Sequence, residues 1–167
     1  MKKIIPFLIT SLVLSLSSCK DDNKSGTLDD SYTARLVGVW TLKSVDYEAD
    51  VNLAGTPIPI AGSGTSLDGS IAFTQQPNTY KLDLKFNAAV DLGGGVPIPI
   101  PIDETSQGTW TTTADDSKII VTDDQGMTTL FEVVTNESNR QVFKGTMTQD
   151  APIIGKIDVD VVLEFTR

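Results

Sequence analysis

Apolar residues at every second position over Tyr80–Leu92, separated by mostly polar ones, constrain the fold more than any other feature of this 167-residue chain. The apolar members occupy every second position: Tyr80, Leu82, Leu84, Phe86, Ala88, Val90 and Leu92. Successive side chains of a β-strand point to opposite faces of the sheet, so the stretch predicts an antiparallel strand with one face buried and one in water. Turn residues divide the rest of residues 36–167 into similar short runs, which predicts an all-β domain of about eight strands joined by hairpins.

The first long apolar run, residues 36–53, changes phase in its middle. Trp40 and Leu42 share one parity, whereas the apolar residues from Val45 onward share the other. A shift of one residue in a strand predicts a bulge or sharp bend, here near Lys43–Ser44. Asp46 and Glu48 then have the parity of Trp40 and face either the solvent or the interior, and we favour the solvent.

The last run places a cation on an apolar face. Ile157, Val159, Val161, Leu163 and Phe165 alternate with mostly acidic residues, and Arg167 follows on the apolar parity. A cation at the end of a buried face needs an aromatic ring or carbonyl groups to offset its desolvation. Trp40 supplies that ring if the first and last strands are neighbours, as in a closed barrel. In the alternative, Trp40 is an ordinary core residue and Arg167 frays.

Two Pro–Ile segments, at residues 55–60 and 96–102, interrupt the regular pattern. Proline cannot donate a hydrogen bond to a sheet, so each segment is expected at a sheet edge or in an irregular ribbon, and residues 61–66 are expected to be flexible. Two interpretations stay open. The segments cover each other beyond the barrel rim, or they form a lid or a docking ribbon for a partner.

Composition excludes several functions. The formal charge is −9, and removal of Lys2 and Lys3 with a leader leaves 13 − 2 = 11 basic against 22 acidic residues. Such a chain lacks the basic surface that nucleic acid or anionic lipid requires. Without His and with one Cys, it lacks the residues for the usual zinc sites, His-based triads and disulfides. Adjacent acids, such as Asp115–Asp116, fall in predicted turns, so we expect no enzyme, metal or cofactor.

The N-terminal segment carries a targeting pattern. Two lysines precede an apolar run from Ile4 to Leu16, and Leu16-Ser-Ser-Cys19 follows. The order resembles a bacterial lipobox, which implies an acylated Cys19 anchored in a membrane; a plain secretory signal is the alternative. Lys20-Asp21-Asp22 resembles the surface-export signal of some Gram-negative lipoproteins, or is a solvated tether. The expected organisation is a signal peptide over 1–18, a tether over 19–33 and a domain over 34–167.

The Gly38-x-Trp40 strand, the eight meandering strands and the terminal Arg167 together resemble the lipocalins, and most of all the small lipocalin-like lipoproteins of Gram-negative bacteria. This resemblance implies an eight-stranded antiparallel up-and-down barrel, closed by Gly38, Trp40 and Arg167. It also implies a lipid-anchored protein of the outer membrane, exposed at the cell surface.

Two functions follow from such a barrel, which either holds one small ligand or is filled by its own side chains. The first is binding of a small, partly apolar molecule by the inward residues Leu42, Phe73, Tyr80, Leu82, Leu84, Phe86, Trp110, Phe143 and Phe165. The second is a closed structural or interaction module that meets a protein partner at the cell surface. A continuous cavity of roughly 300 Å³ or more favours the first.

Overall fold

The computed structural model describes residues 31–53, 55–90, 97–151 and 155–167; the signal segment, Cys19 and the tether up to residue 30 lie outside the described residues. The elements are α1 (Tyr32–Leu36), β1 (Gly38–Leu53), β2 (Thr56–Ser63), β3 (Thr65–Thr74), β4 (Thr79–Val90), β5 (Ile98–Thr112), β6 (Lys118–Asp123), β7 (Thr128–Asn136), β8 (Arg140–Ala151) and β9 (Gly155–Thr166). Each strand pairs antiparallel with its neighbours, and β1 also pairs with β9, which closes the sheet into a ring.

The ring has eight positions although it contains nine strands. One edge of β1 pairs with β9, while β2 and then β3 pair with successive parts of its other edge. The expected eight-stranded up-and-down barrel is therefore confirmed, with residues 56–74 divided into two strands. We expected residues 61–66 to be flexible, but most of them belong to β2 and β3. The long β1 offers them backbone partners, and Gly64 between the two strands donates its N–H to Val45 O at 2.8 Å.

The predicted bulge in β1 is confirmed. The register with β9 shifts between Leu42 and Ser44, so that Lys43 is the extra residue. Before the shift Trp40 and Leu42 are buried, and after it the opposite parity is buried. Asp46 and Glu48 accordingly face the solvent, as favoured above.

The second Pro–Ile segment is not a separate ribbon. Residues 98–112 form one strand of 15 residues, β5, which pairs with β4 along its length from Ile98 to Thr109. The ladder from β5 to β6 covers only Gly108–Thr112, so among the described strands the first half of β5 has a free edge. Pro99 and Pro101 lie in this half, as expected for prolines at an edge.

The strand pairs β1–β2, β4–β5 and β8–β9 extend to one end of the barrel, called the far end below. The isoleucines of both Pro–Ile segments turn inward at this end. Ile60 is buried, and Ile58, Ile100 and Ile102 pack against the same core. Ile98 remains half exposed, at 49%. The two segments thus serve packing at the far end rather than presenting an apolar strip to the solvent.

Tyr47 bridges a gap in the wall of the far end. Its hydroxyl donates a hydrogen bond to Ala89 O at 3.1 Å and accepts one from Ala89 N at 2.7 Å. The ladder between β3 and β4 does not reach Ala89, and no described strand pairs with this edge of β4 there. The tyrosine hydroxyl therefore takes the place of a strand and satisfies the N–H and the C=O of Ala89. A Cβ on Gly62 would lie 2.7 Å from the same hydroxyl, so a glycine at this position leaves room for the bridge.

The opposite end, called the closed end, is covered by α1. Ser31 caps this helix, since its Oγ accepts a hydrogen bond from Ala34 N at 3.2 Å. Tyr32 and Leu36 are buried. Residues 32–33, which we expected to be tether, therefore belong to the folded part, and the predicted boundary at residue 34 falls inside the helix. A helix of five residues was not predicted because one turn leaves no periodic pattern.

Candidate functional site: a side cleft in the barrel

Gly38, Trp40 and Arg167 meet at the closed end. The Arg167 guanidinium carbon lies 4.2 Å from the centroid of the Trp40 ring. The same guanidinium donates to Ser138 O at 2.7 Å and to Val37 O at 3.0 Å. Gly38 has a φ of +137°, and a Cβ there would lie 2.8 Å from the guanidinium. The three residues thus join the first strand, the last strand and the turn before β8.

Aromatic rings fill the interior next to the closed end. Phe73 contacts Trp110 edge-on, with centroids 5.7 Å apart, and Phe143 at 6.3 Å. Phe143 also lies 6.0 Å from Phe165. The Trp110 indole N–H donates to Thr74 O at 2.9 Å, and the Trp40 indole N–H donates to Leu36 O at 2.8 Å. The interior of this end is packed, and both indole donors are satisfied.

The wall of the barrel is interrupted on one side, beyond the short hairpin of β6 and β7. β6 ends opposite Gly108 of β5, and the pairing of β7 with β8 begins at Phe131 and Gly145. The strands β5 and β8 continue past these points toward the far end without a described strand between them. Their free edges and the hairpin tip frame an opening that we call the side cleft.

The side cleft encloses about 280 Å³. It is lined by residues of both free edges, the hairpin and the inner faces of β3, β4, β8 and β9: Ile71, Phe73, Tyr80, Leu82, Glu104, Ser106, Ile119, Val121, Asp123, Met127, Thr128, Thr129, Leu130, Phe131, Phe143, Thr146, Met147, Thr148, Gln149, Leu163 and Phe165. Most of these side chains are apolar or aromatic, and the polar ones come mainly from β5, the hairpin and β8.

The nine residues that the sequence predicted to face the interior fall into two groups in the structure, those that line the side cleft and those that do not. All nine are buried. Phe73, Tyr80, Leu82, Phe143 and Phe165 line the side cleft. Leu42, Leu84, Phe86 and Trp110 do not line it; Phe86 instead borders a cavity of only about 30 Å³ at the far end. The cleft therefore brings five of the nine together, and the other four belong to packed parts of the interior.

Polar groups on β5 and β4 meet at one wall of the cleft. The Tyr80 hydroxyl and Ser106 Oγ share a hydrogen bond of 2.6 Å. Burial raises the pKa of Tyr80 above its ordinary value, and the carboxylates of Asp123, Asp124 and Glu104 raise it further, against the lowering effect of the bond to Ser106. The Tyr80 hydroxyl is therefore partly desolvated, and three carboxylates lie near enough to affect it.

Gln149 occupies the boundary between the side cleft and the far-end cavity, since it lines both. Its side-chain nitrogen is buried and has no hydrogen-bond partner within the described structure. A buried amide donor without a partner is costly in a folded protein, so this group is available to a ligand or to water.

Sequence reasoning missed Glu104, Ser106 and Gln149 as cleft residues. The parity of β5 contained the signal for the first two, because Ile100, Ile102, Glu104, Ser106 and Trp110 are all even-numbered. The Pro–Ile pattern sets residues 96–102 apart from the residues that follow them in the sequence, and this hid the continuity of the inner face of β5. Gln149 could be placed only from the length of β8 relative to its neighbours.

Comparison with known proteins adds no relationship: no protein-family model matches the sequence, and no curated protein does. Within the described ranges, the structure contains no helix long and apolar enough to cross a membrane. The same ranges contain no group of three or more His, Cys, Asp or Glu side chains arranged to hold a metal ion.

Proposed function

We propose that this chain is a lipocalin-like lipoprotein of the outer membrane, exposed at the cell surface, whose side cleft binds a small, partly apolar ligand. The observation that carries the binding proposal is the 280 Å³ cleft, whose lining is mostly apolar, includes five aromatic side chains and presents several polar groups. Binding sites for small molecules are concave, mostly apolar and roughly 300–1,000 Å³ in volume. At about 280 Å³ the cleft lies just below that range and below the size named above, so it fits only a small ligand.

The position of the cleft supports entry and release of a ligand. Because the opening lies between strands that already lack partners on that side, a ligand can enter without breaking a backbone ladder. Phe73 and Phe143 line the cleft and also pack in the aromatic interior next to the closed end, so that packed interior supports one side of the cleft. A rigid scaffold with one unfilled side is what a carrier needs, since little binding energy is then used to order the site.

Native mass spectrometry of the full chain, purified gently from its own host, tests ligand binding. We expect a discrete additional mass of a few hundred daltons. Thr129→Trp is expected to abolish that mass, because residue 129 lines the cleft and a tryptophan there would fill it. Thr111→Trp is the control, since Thr111 is exposed and lies outside the cleft lining.

A clean mass, unchanged after exposure to a lipid and metabolite extract, would contradict ligand binding. It would favour the second function, a structural or interaction module in a surface complex. Co-purification with a protein partner would then be the next measurement.

The anchoring proposal rests on the lipobox-like Leu16-Ser-Ser-Cys19 segment and is tested separately. Cys19→Ser is expected to release the protein from the membrane fraction, because the acylated thioether would be lost. Replacement of Lys20, Asp21 and Asp22 by alanine leaves Cys19 in place. We expect that variant to stay in the outer membrane but to become inaccessible to protease added outside the cell. Continued anchoring of Cys19→Ser would refute the lipoprotein assignment.

A further inference from the structure

A carboxylate faces the inside of the barrel at Glu104. Its neighbours of the same parity on β5 are Ile102, which packs against the core, and Ser106, which bonds to Tyr80. Glu104 is half-buried and lines the side cleft. Within the described part of the chain it makes no hydrogen bond and no ion pair. A half-buried carboxylate without a partner in the described chain does not stabilise the fold through a hydrogen bond or an ion pair, and it is left to a ligand or to water.

No positive charge of the cleft lining balances Glu104. Among the described residues the lining contains two acids, Glu104 and Asp123, and neither Lys nor Arg. Lys85 is opposite Asp103 in the ladder of β4 and β5, and its ammonium group lies 3.8 Å from Asp103 and 3.7 Å from Asp83. Asp103 is on the opposite face of β5 from Glu104, so this ion pair lies outside the barrel. Burial is the main cause of the raised pKa of Tyr80, and the carboxylates of Asp123, Asp124 and Glu104 add to it.

These charges discriminate between ligands. An anionic head group in the cleft would be repelled by both acids, and the net charge of −9 adds to the repulsion. A cationic head group would gain a charge-assisted hydrogen bond to Glu104, and the rings of Tyr80 and Phe131 would offset part of its desolvation.

We propose that the ligand is a small organic cation of the amine class, with its charged nitrogen against Glu104 and its apolar body among the aromatic residues of the side cleft. This inference rests on the proposed binding function. The buried side-chain nitrogen of Gln149 adds a donor for a further polar atom of the ligand at the inner end of the cleft.

Isothermal titration calorimetry with three compounds of identical body tests the charge preference. The compounds 4-phenylbutylamine, 4-phenylbutanol and 5-phenylpentanoate share a phenylbutyl body and differ only in a cationic, neutral or anionic head group. With the full chain we expect the amine to bind about tenfold more tightly than the alcohol, which corresponds to one good charge-assisted hydrogen bond, and the carboxylate to bind most weakly.

Glu104→Gln and Asp103→Asn form a matched pair of variants. Each removes one negative charge from β5, at adjacent positions on opposite faces. We expect Glu104→Gln to weaken amine binding about tenfold, to leave alcohol binding unchanged and to keep the melting temperature at or above that of the wild type. Asp103→Asn should change amine binding less than about twofold, since an exposed charge outside the barrel is screened.

Each contrary result has a distinct meaning. Equal binding of the three compounds, or tightest binding of the carboxylate, overturns the cationic ligand and leaves the side cleft as a binding site. Equal effects of the two variants overturn the role of Glu104, as does a marked loss of stability in Glu104→Gln, which would make the residue structural. If none of the compounds binds and the native mass is also clean, both the inference and the binding function fail.

Discussion

The closed end and the side cleft are both lined by aromatic residues, and they differ in whether the wall around them is complete. At the closed end Trp40 is fully buried, its indole N–H is bonded, and Arg167 covers its ring. At the cleft Glu104 and the buried nitrogen of Gln149 lack partners within the described chain. The hairpin of β6 and β7 is shorter than the strands β5 and β8 on either side of it, and the wall that it leaves uncovered is the side cleft. Relative strand length, more than composition, decides which apolar interior is core and which is a site.

The largest expected difference comes from truncation of the closed end. Trp40→Ala should lower the free energy of unfolding by about 3–5 kcal/mol, because it removes a large buried side chain that the surrounding strands cannot replace. Denaturant titration followed by circular dichroism measures the change. Val39→Ala is the control, since Val39 is 64% exposed, and it should cost less than about 0.5 kcal/mol. A loss below about 1 kcal/mol in Trp40→Ala would remove this residue from the core.

Two leucines on the same face of β4 compare packed interior and cleft directly. Leu84 is fully buried and does not border the cleft, whereas Leu82 lines it. Leu84→Ala should cost about 3–4 kcal/mol and Leu82→Ala about 2 kcal/mol, because a side chain beside an existing cavity has fewer packing contacts to lose. The two unfolding curves measured side by side give the difference. Equal costs would mean that the cleft is packed as tightly as the core.

Removal of the Arg167 side chain tests how the closed end is held. Arg167→Ala should cost about 1–2 kcal/mol, since a ring contact and hydrogen bonds to carbonyl groups are lost. Arg167→Lys should recover little of this loss, because a single ammonium cannot match the planar fork that spans several carbonyls. Thermal unfolding measures both variants. An unchanged melting temperature in Arg167→Ala would show that the contact on Trp40 does not stabilise the barrel.

The smallest expected effects separate the two regions by pH. Hydrogen bonds from Thr113, and then from Ser117, lower the pKa of Asp115, in the turn between β5 and β6, from 3.8 to about 2. That contribution to stability is present above the ordinary pKa and is lost as the pH falls toward 2. The raised pKa of Tyr80 acts oppositely: its contribution is present below 10.0 and is lost as the pH rises through the folded-state value.

The free energy of unfolding is measured across pH for the wild type, Asp115→Asn and Tyr80→Phe. These curves assign the loss of stability at acid pH (the acid limb) and at alkaline pH (the alkaline limb). Asp115→Asn should flatten only part of the acid limb and Tyr80→Phe only part of the alkaline limb. A variant that altered the other limb would contradict the assignment.

The sequence predicted the strands whose one face is continuously apolar, and it failed where proline or strand length decided the outcome. The parity change at Lys43 and the burial of Phe165 follow from alternation alone. The continuity of β5 was not predicted, because the prolines left open either a sheet edge or an irregular ribbon for the second Pro–Ile segment, and the structure has the edge. The cleft could not be predicted, since it depends on where β6 stops relative to β5, and no single residue of β6 encodes that.

The bridge between Tyr47 and Ala89 also indicates which backbone groups β5 presents at the edge that no described strand pairs with. Ala89 directs its N–H and C=O to Tyr47 and away from its ladder partner Pro99. In an antiparallel ladder such a pair is the non-hydrogen-bonded kind, so the backbone nitrogen of Pro99 faces the free edge, and the period of two places Pro101 likewise. Both nitrogens lack a hydrogen. A neighbouring molecule would therefore find two missing donors where it would add a strand, so this edge, which no described strand pairs with, is a poor template for strand addition.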